Sequence, residues 1–174
     1  MIVLIAATIL AASNGLPLDT YSPGGPEIQV TLTNGASFVI VTDPDGSPKT
    51  TAGVLHLVRS HFYDGQRMHR VENWVVQWGD PQSKKLPIDD PRVGSQGSGM
   101  QMPFEPHNLH FERTIVGVAS NRARTGSNGQ IFVLRKDAPI LGHNYSVLGK
   151  VISGMNVVDR IKKGDRILRM VVLQ

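Results

Sequence analysis

A chain of 174 residues with 40% hydrophobic and 18% charged side chains is long enough for one folded domain and too apolar for a disordered one. Zero cysteine excludes disulfides, thiolate catalysis and cysteine-ligated zinc. The net charge of +4 comes from 18 basic and 14 acidic residues, and the basic ones are scattered in short pairs such as Lys84-Lys85 and Lys162-Lys163, so nucleic-acid binding is not expected.

Residues 2–12 are an apolar run with Thr8 its only polar member, and no charge precedes Asp19. The run is too short for a bilayer span, which takes about 20 residues, but suits the apolar core of a secretory signal peptide. Ala11-Ala12-Ser13 offers small residues for cleavage, although no lysine or arginine precedes the run. Residues 1–13 are therefore expected to be a signal peptide, with a periplasmic or secreted location and no stable membrane insertion after its removal. Residues 14–26, punctuated by Asn14, Gly15, Pro17, Pro23, Gly24, Gly25 and Pro26, read as a linker. The folded domain is expected over 27–174.

Ile28, Val30 and Leu32, then Phe38 and Ile40, alternate with polar neighbours around Asn34-Gly35, which predicts an antiparallel hairpin. Ser47-Pro48 reads as an N-cap with proline at the first helical position. Val54, Leu55, Val58 and Phe62 follow at helical spacing, with Gly65 as the stop. Further β-rich runs lie at 67–71, 74–78, 114–119, 130–134, 145–151 and 166–173. A second short helix carries Met155, Val158 and Ile161 on one face and stops at Gly164. Residues 81–103, with Pro81, Pro87, Pro91, Gly94, Gly97, Gly99 and Pro103, predict a long surface loop, a feature that usually serves function. Eight strands and two helices suit a barrel plugged by helices, although periodicity alone also permits a sandwich.

Met68-His69-Arg70-Val71 and, after it, Gln77-Trp78-Gly79-Asp80-Pro81 place one fixed cation among aromatic and β-branched residues, in a chain with no evident nucleophile. Neither His107 with His110 nor His56 with His61 has a third ligand at metal-site spacing. Gly94 to Gly99 lacks the strand, helix and lysine of a phosphate loop. No metal or cofactor is called for.

Arg70, Trp74, Gln77, Ser120-Asn121, Gln130, Phe132, Leu141 and Tyr145, in this order and spacing, resemble the active-site set of the cyclophilins, the peptidyl-prolyl cis/trans isomerases, over roughly residues 27–174 and most nearly in their bacterial branch. The resemblance implies a mainly β fold, a closed eight-stranded antiparallel barrel capped by two α-helices. It also implies a monomer acting on Xaa-Pro bonds in proline-containing peptides and unfolded proteins. Arg70 then serves as the catalytic donor and Gln77 holds it. Trp74, Val75, Phe132 and Leu141 surround the substrate proline, and Ile140 and Tyr145 join them as substrate-binding residues. Gln130 contacts substrate backbone, and Ser120 and Asn121 pair with the residue before the proline.

The sequence departs from the family pattern at Met68 and Ile131, each in place of a usual phenylalanine, at Trp78 in place of a glycine, and at Arg122 beside the groove. The interval from Arg70 to Gln77 is one residue short, and Ile140 stands where strongly cyclosporin-binding members carry tryptophan. These departures leave a second expectation open: a weakly active or inactive cyclophilin-like module that binds proline-containing segments.

Overall fold

The computed structural model describes residues 20–173; the expected signal peptide and the first part of the expected linker lie outside the described residues. Eight antiparallel strands form one sheet: β1 Glu27–Leu32, β2 Ser37–Thr42, β3 Arg70–Val71, β4 Val75–Trp78, β5 Ile115–Val118, β6 Ile131–Leu134, β7 Val147–Ser153 and β8 Ile167–Val172. Two helices accompany them, α1 Pro48–Arg59 and the single turn α2 Met155–Val158.

The sheet runs β3-β4-β6-β5-β7-β2-β1-β8 and curls into a half-barrel. The expected closed barrel is corrected here, because β3 and β8 share no ladder. The gap between them is spanned by the segments that precede each strand. Arg67 bridges Arg166, the Met68 N–H donates to Asp165 O at 2.9 Å, and the Ile167 N–H donates to Gln66 O at 2.8 Å. Met68 thus belongs to this junction, and the predicted strand 67–71 narrows to Arg70–Val71.

The first hairpin forms as expected around Asn34-Gly35, with Gly35 at φ 84° and the Ala36 N–H donating to Asn34 Oδ1 at 3.0 Å. Helix α1 begins at Pro48, but Ser47 makes no capping bond. The buried carboxylate of Glu105 takes that task, accepting from the Lys49 N–H at 2.9 Å and the Thr50 N–H at 2.7 Å. A negative charge there also meets the positive end of the helix dipole. The helix stops at Arg59, before Phe62, with His61 left-handed at φ 59°.

Period-two alternation separates two cores. Val76, Trp78, Val116, Val118, Ile131 and Val133 face the larger one, where α1 adds Val54, Leu55, Leu57 and Val58, and Val158 and Ile161 join from the α2 region. Val75, Ile115, Phe132, Leu134 and Val147 face a smaller one with Leu109 and Phe111. Strands β4, β5 and β6 are consequently buried on both faces. Packing also reaches back before Glu27. Tyr21 joins the smaller core, its hydroxyl donates to Asp43 Oδ2 at 2.9 Å, and Lys150 Nζ donates to its carbonyl.

Candidate active site

Register builds the site. Arg70 lies directly opposite Gln77 across β3 and β4, Gln77 opposite Phe132 on β6, and Phe132 opposite Gly117 on β5. Residues directly opposite in antiparallel strands share a face, so these four form one row across the sheet. The next row, Val71, Val76, Val133 and Val116, faces the larger core. Gly117 is what lets Phe132 lie flat in its row: a Cβ at 117 would sit 2.3 Å from the ring.

Arg70, Trp74, Val75, Gln77, Ala119, Ser120, Phe132, Leu141 and Tyr145 line a cavity of about 110 Å³. Phe132 forms its aromatic wall, 6.0 Å from Tyr145 and at 85° to it. Asn121 and Gln130 line an adjoining polar cavity of about 250 Å³, which shares Gln77, Ala119 and Ser120 with the first. Ile140 lines neither and is 88% exposed. It lies beside Leu141 in the short 3-10 turn Pro139–Leu141, where successive side chains diverge, so only Leu141 faces the cavity. Arg122 is likewise exposed.

A chain of amides orders the polar edge. The Arg70 Nη1–H donates to Gln77 Oε1 at 3.4 Å, Gln77 Nε2–H to Gln130 Oε1 at 2.7 Å, and Gln130 Nε2–H to the carbonyls of Gly94 at 2.9 Å and Gln96 at 2.6 Å. Those carbonyls belong to the predicted long loop, which a fully buried Asp80 holds in place. Asp80 Oδ1 accepts from the Gln82 N–H at 2.7 Å, and Oδ2 from the N–H groups of Gly94 at 2.5 Å and Gln96 at 3.1 Å. The loop therefore acts as a scaffold for Gln130, whose amide is committed on every side.

The short interval between Arg70 and Gln77 closes as a tight hairpin. The Glu72 N–H donates to Val75 O at 2.9 Å, leaving Asn73 and Trp74 as the connection. Trp74 is thereby folded back against Arg70, whose guanidinium carbon lies 5.1 Å from the indole centroid. Glu72 bonds both, and its carboxyl is held below the usual carboxylate range chiefly by the Arg70 hydrogen bond.

Three residues went unforeseen in the sequence: Glu72, Ala119 and Gly117. A fourth, His143, brings its ring to 5.6 Å from His107 and 6.4 Å from His110. Among the described residues no three such groups are placed to hold a metal ion. His107 serves instead as a strut, with Nε2 bonded to Tyr145 O at 2.8 Å and Nδ1 accepting from the Leu109 N–H at 3.1 Å. Burial pushes its pKa down, in keeping with a neutral ring that donates at one nitrogen and accepts at the other.

The departures at Met68, Trp78 and Ile131 all point away from this cavity. Each is fully buried in the larger core, where Trp78 lies directly opposite Ile131. A large indole stands where the family pattern has glycine, directly opposite Ile131 and in the same core as Met68, so volume gained at 78 offsets volume lost at 68 and 131.

Residues 28–173 match the family model "Cyclophilin type peptidyl-prolyl cis-trans isomerase/CLD". A Brucella abortus protein named "Probable peptidyl-prolyl cis-trans isomerase" is 37% identical over 167 residues, covering 93% of this chain and 85% of that protein. The human "Peptidyl-prolyl cis-trans isomerase-like 3" is 31% identical over 120 residues, covering 67% and 70%. Among solved structures, a cyclophilin type peptidyl-prolyl cis-trans isomerase of Cryptosporidium parvum superposes with a TM-score of 0.71 at 20% identity, covering 86% of this chain and 98% of its own. The same protein crystallised with the dipeptide Ala-Pro gives 0.70. Fold, register and relatives converge: the chain belongs to the cyclophilin-type peptidyl-prolyl cis-trans isomerase family.

Proposed function

We propose that the protein accelerates cis/trans isomerisation of Xaa-Pro bonds in flexible or unfolded chains, with Arg70 as the catalytic donor. Rotation about such a bond must break amide conjugation, against a barrier of about 18–20 kcal/mol. The twisted state leaves a lone pair on the prolyl nitrogen, so a donor aimed at that atom stabilises the transition state more than either planar form. A guanidinium stays charged at any working pH and presents its donors in a rigid fork.

The row Arg70, Gln77, Phe132 and Gly117 is the observation that carries this reading. It sets one cation at the polar edge of a cavity of proline-ring scale whose other wall is Val75, Phe132 and Leu141. With Nε engaged by Glu72 and Nη1 by Gln77, Nη2 has no partner among the described residues. Phe132, Leu141, Val75 and Trp74 hold the substrate ring by apolar contact, with Tyr145 alongside. Ser120 and Asn121 receive the residue before the proline: their backbone N–H and C=O groups carry no bond among the described residues, as the edge for an extended peptide requires. The committed amide of Gln130 gives it a supporting part, steadying Gln77. Ile140, exposed at the rim, is left without a part in holding the proline ring.

Exchange NMR on an Ala-Pro peptide tests the reading. Catalytic amounts of protein should broaden or exchange the cis and trans resonances. Peptide binding without accelerated exchange would select the inactive binding module instead.

A further inference from the structure

Glu72 sits in the tight connection between β3 and β4, within the interval that is shorter here than in the family pattern. We propose that Glu72 is a positioning residue for the isomerase reaction, its carboxylate clamping Arg70 and Trp74 together so that the free end of the guanidinium points into the cavity. The proposal rests on the reading of Arg70 as the donor to the prolyl nitrogen.

Each carboxylate oxygen has its own donor. Oε1 accepts from the Arg70 Nε–H at 2.7 Å and Oε2 from the Trp74 Nε1–H at 2.8 Å. Gln77 takes Nη1 from the far side and the indole lies under the guanidinium plane. A long, flexible arginine is thus restrained at three points, and the same carboxylate fixes one wall of the cavity. Glu72 is itself anchored through its backbone: its N–H donates to Val75 O at 2.9 Å, and its carbonyl accepts from Arg135 Nη1 at 3.2 Å.

Stability does not account for the arrangement. Arg70 and Glu72 are 43% and 45% exposed, and ion pairs so placed contribute little to folding. The chemistry also asks for a carboxylate and not an amide. Both partners are pure donors, whereas glutamine offers one acceptor oxygen and would turn its NH2 group against a donor. Arg70 is the charged group that faces the Glu72 carboxylate, with Trp74 completing the contact, while Arg135 meets only the backbone carbonyl. Arg70 depresses the carboxyl, so the clamp stays closed at neutral pH and opens only as the pH falls through that lowered value.

The test combines kinetics with Trp74 emission. The sequence has two tryptophans, and the Trp78 indole N–H has no partner among the described residues, so a Trp78→Phe background leaves Trp74 as the sole reporter. In that background, lowering the pH from neutral should shift Trp74 emission in step with one carboxylate, and Glu72→Gln should abolish the step. Acid unfolding would shift both proteins alike. At neutral pH, Glu72→Gln and Glu72→Ala should lower kcat about tenfold, a small misplacement of a reacting group, with KM within about twofold. The acid limb of the kcat profile should vanish in Glu72→Gln.

An unchanged kcat in both variants, or an emission step or acid limb that survives in Glu72→Gln, overturns the proposal. Should the parent protein fail to catalyse exchange, the isomerase reading falls, while the emission titration still decides whether the clamp exists.

Discussion

On strands β4 and β6, Val76, Trp78, Ile131 and Val133 point into the larger core, while Val75, Gln77, Phe132 and Leu134 point to the other side, where the cavity opens. The first face departs from the family pattern at Trp78 and Ile131, with Met68 in the same core, and the second keeps the pattern in full at Gln77 and Phe132. Apolar packing accepts an exchange of volume between neighbours, because dispersion and burial have no preferred direction. A hydrogen-bonded row does not, because each amide and guanidinium must meet its partner within a few tenths of an ångström and within a narrow angle. Departure on one face therefore says little about chemistry on the other.

The comparison breaks most visibly at Trp78. Trp78→Ala should destabilise the protein by about 3–5 kcal/mol, as large-to-small core changes do, while exchange rates at temperatures where the variant stays folded should match wild type; urea unfolding and exchange NMR measure the two. Gly117→Ala should cost about 1–3 kcal/mol by overpacking and, by tilting Phe132, should weaken Ala-Pro peptide binding and catalysis together. Gln130→Ala should cost about 1 kcal/mol but slow isomerisation about tenfold with little change in KM, because Gln77 loses the group that steadies it.

The smallest effect is a pH dependence. Burial lowers the pKa of His107 in the folded state, so the unfolded chain binds its proton more readily. Stability should hold above the ordinary histidine value, near 6.5, and decline as the pH falls below it toward the folded value. Burial lowers the pKa of His69 in the same way. Thermal melts at pH 7.5 and 5.5 check this, and His107→Asn should narrow the difference, leaving the part that His69 supplies.

Much of the fold was legible: alternation around Asn34-Gly35 marks the first hairpin, and the β-rich runs at 74–78 and 130–134 hold β4 and β6, whose burial on both faces leaves β-rich composition, and not alternation, as their signal. Other features depend on contacts far apart in sequence. The cap of α1 comes from Glu105, 56 residues after Lys49, and local pattern could only nominate Ser47. Ile161 is buried as the helical spacing predicts, yet α2 ends at Val158, and the Arg135 guanidinium takes the carbonyls of both Val158 and Ile161. In the site, Arg70 and Gln77 were readable from the resemblance. Glu72 was not, because the role proposed for it arises from the missing residue in the Arg70 to Gln77 interval. Ile140, a substrate-binding position by resemblance, stands 88% exposed and lines neither cavity, because the 3-10 turn points it away from its neighbour Leu141.

Isomerisation by Arg70→Ala, measured by exchange NMR beside a thermal melt, tests the separation of the two faces most directly. Arg70 is 43% exposed and its ion pair with Glu72 is a surface one, so the melting midpoint should stay within about 3 °C of wild type. Losing the donor should lower kcat/KM about a hundredfold or more. A rate that persists in the folded variant would contradict the account.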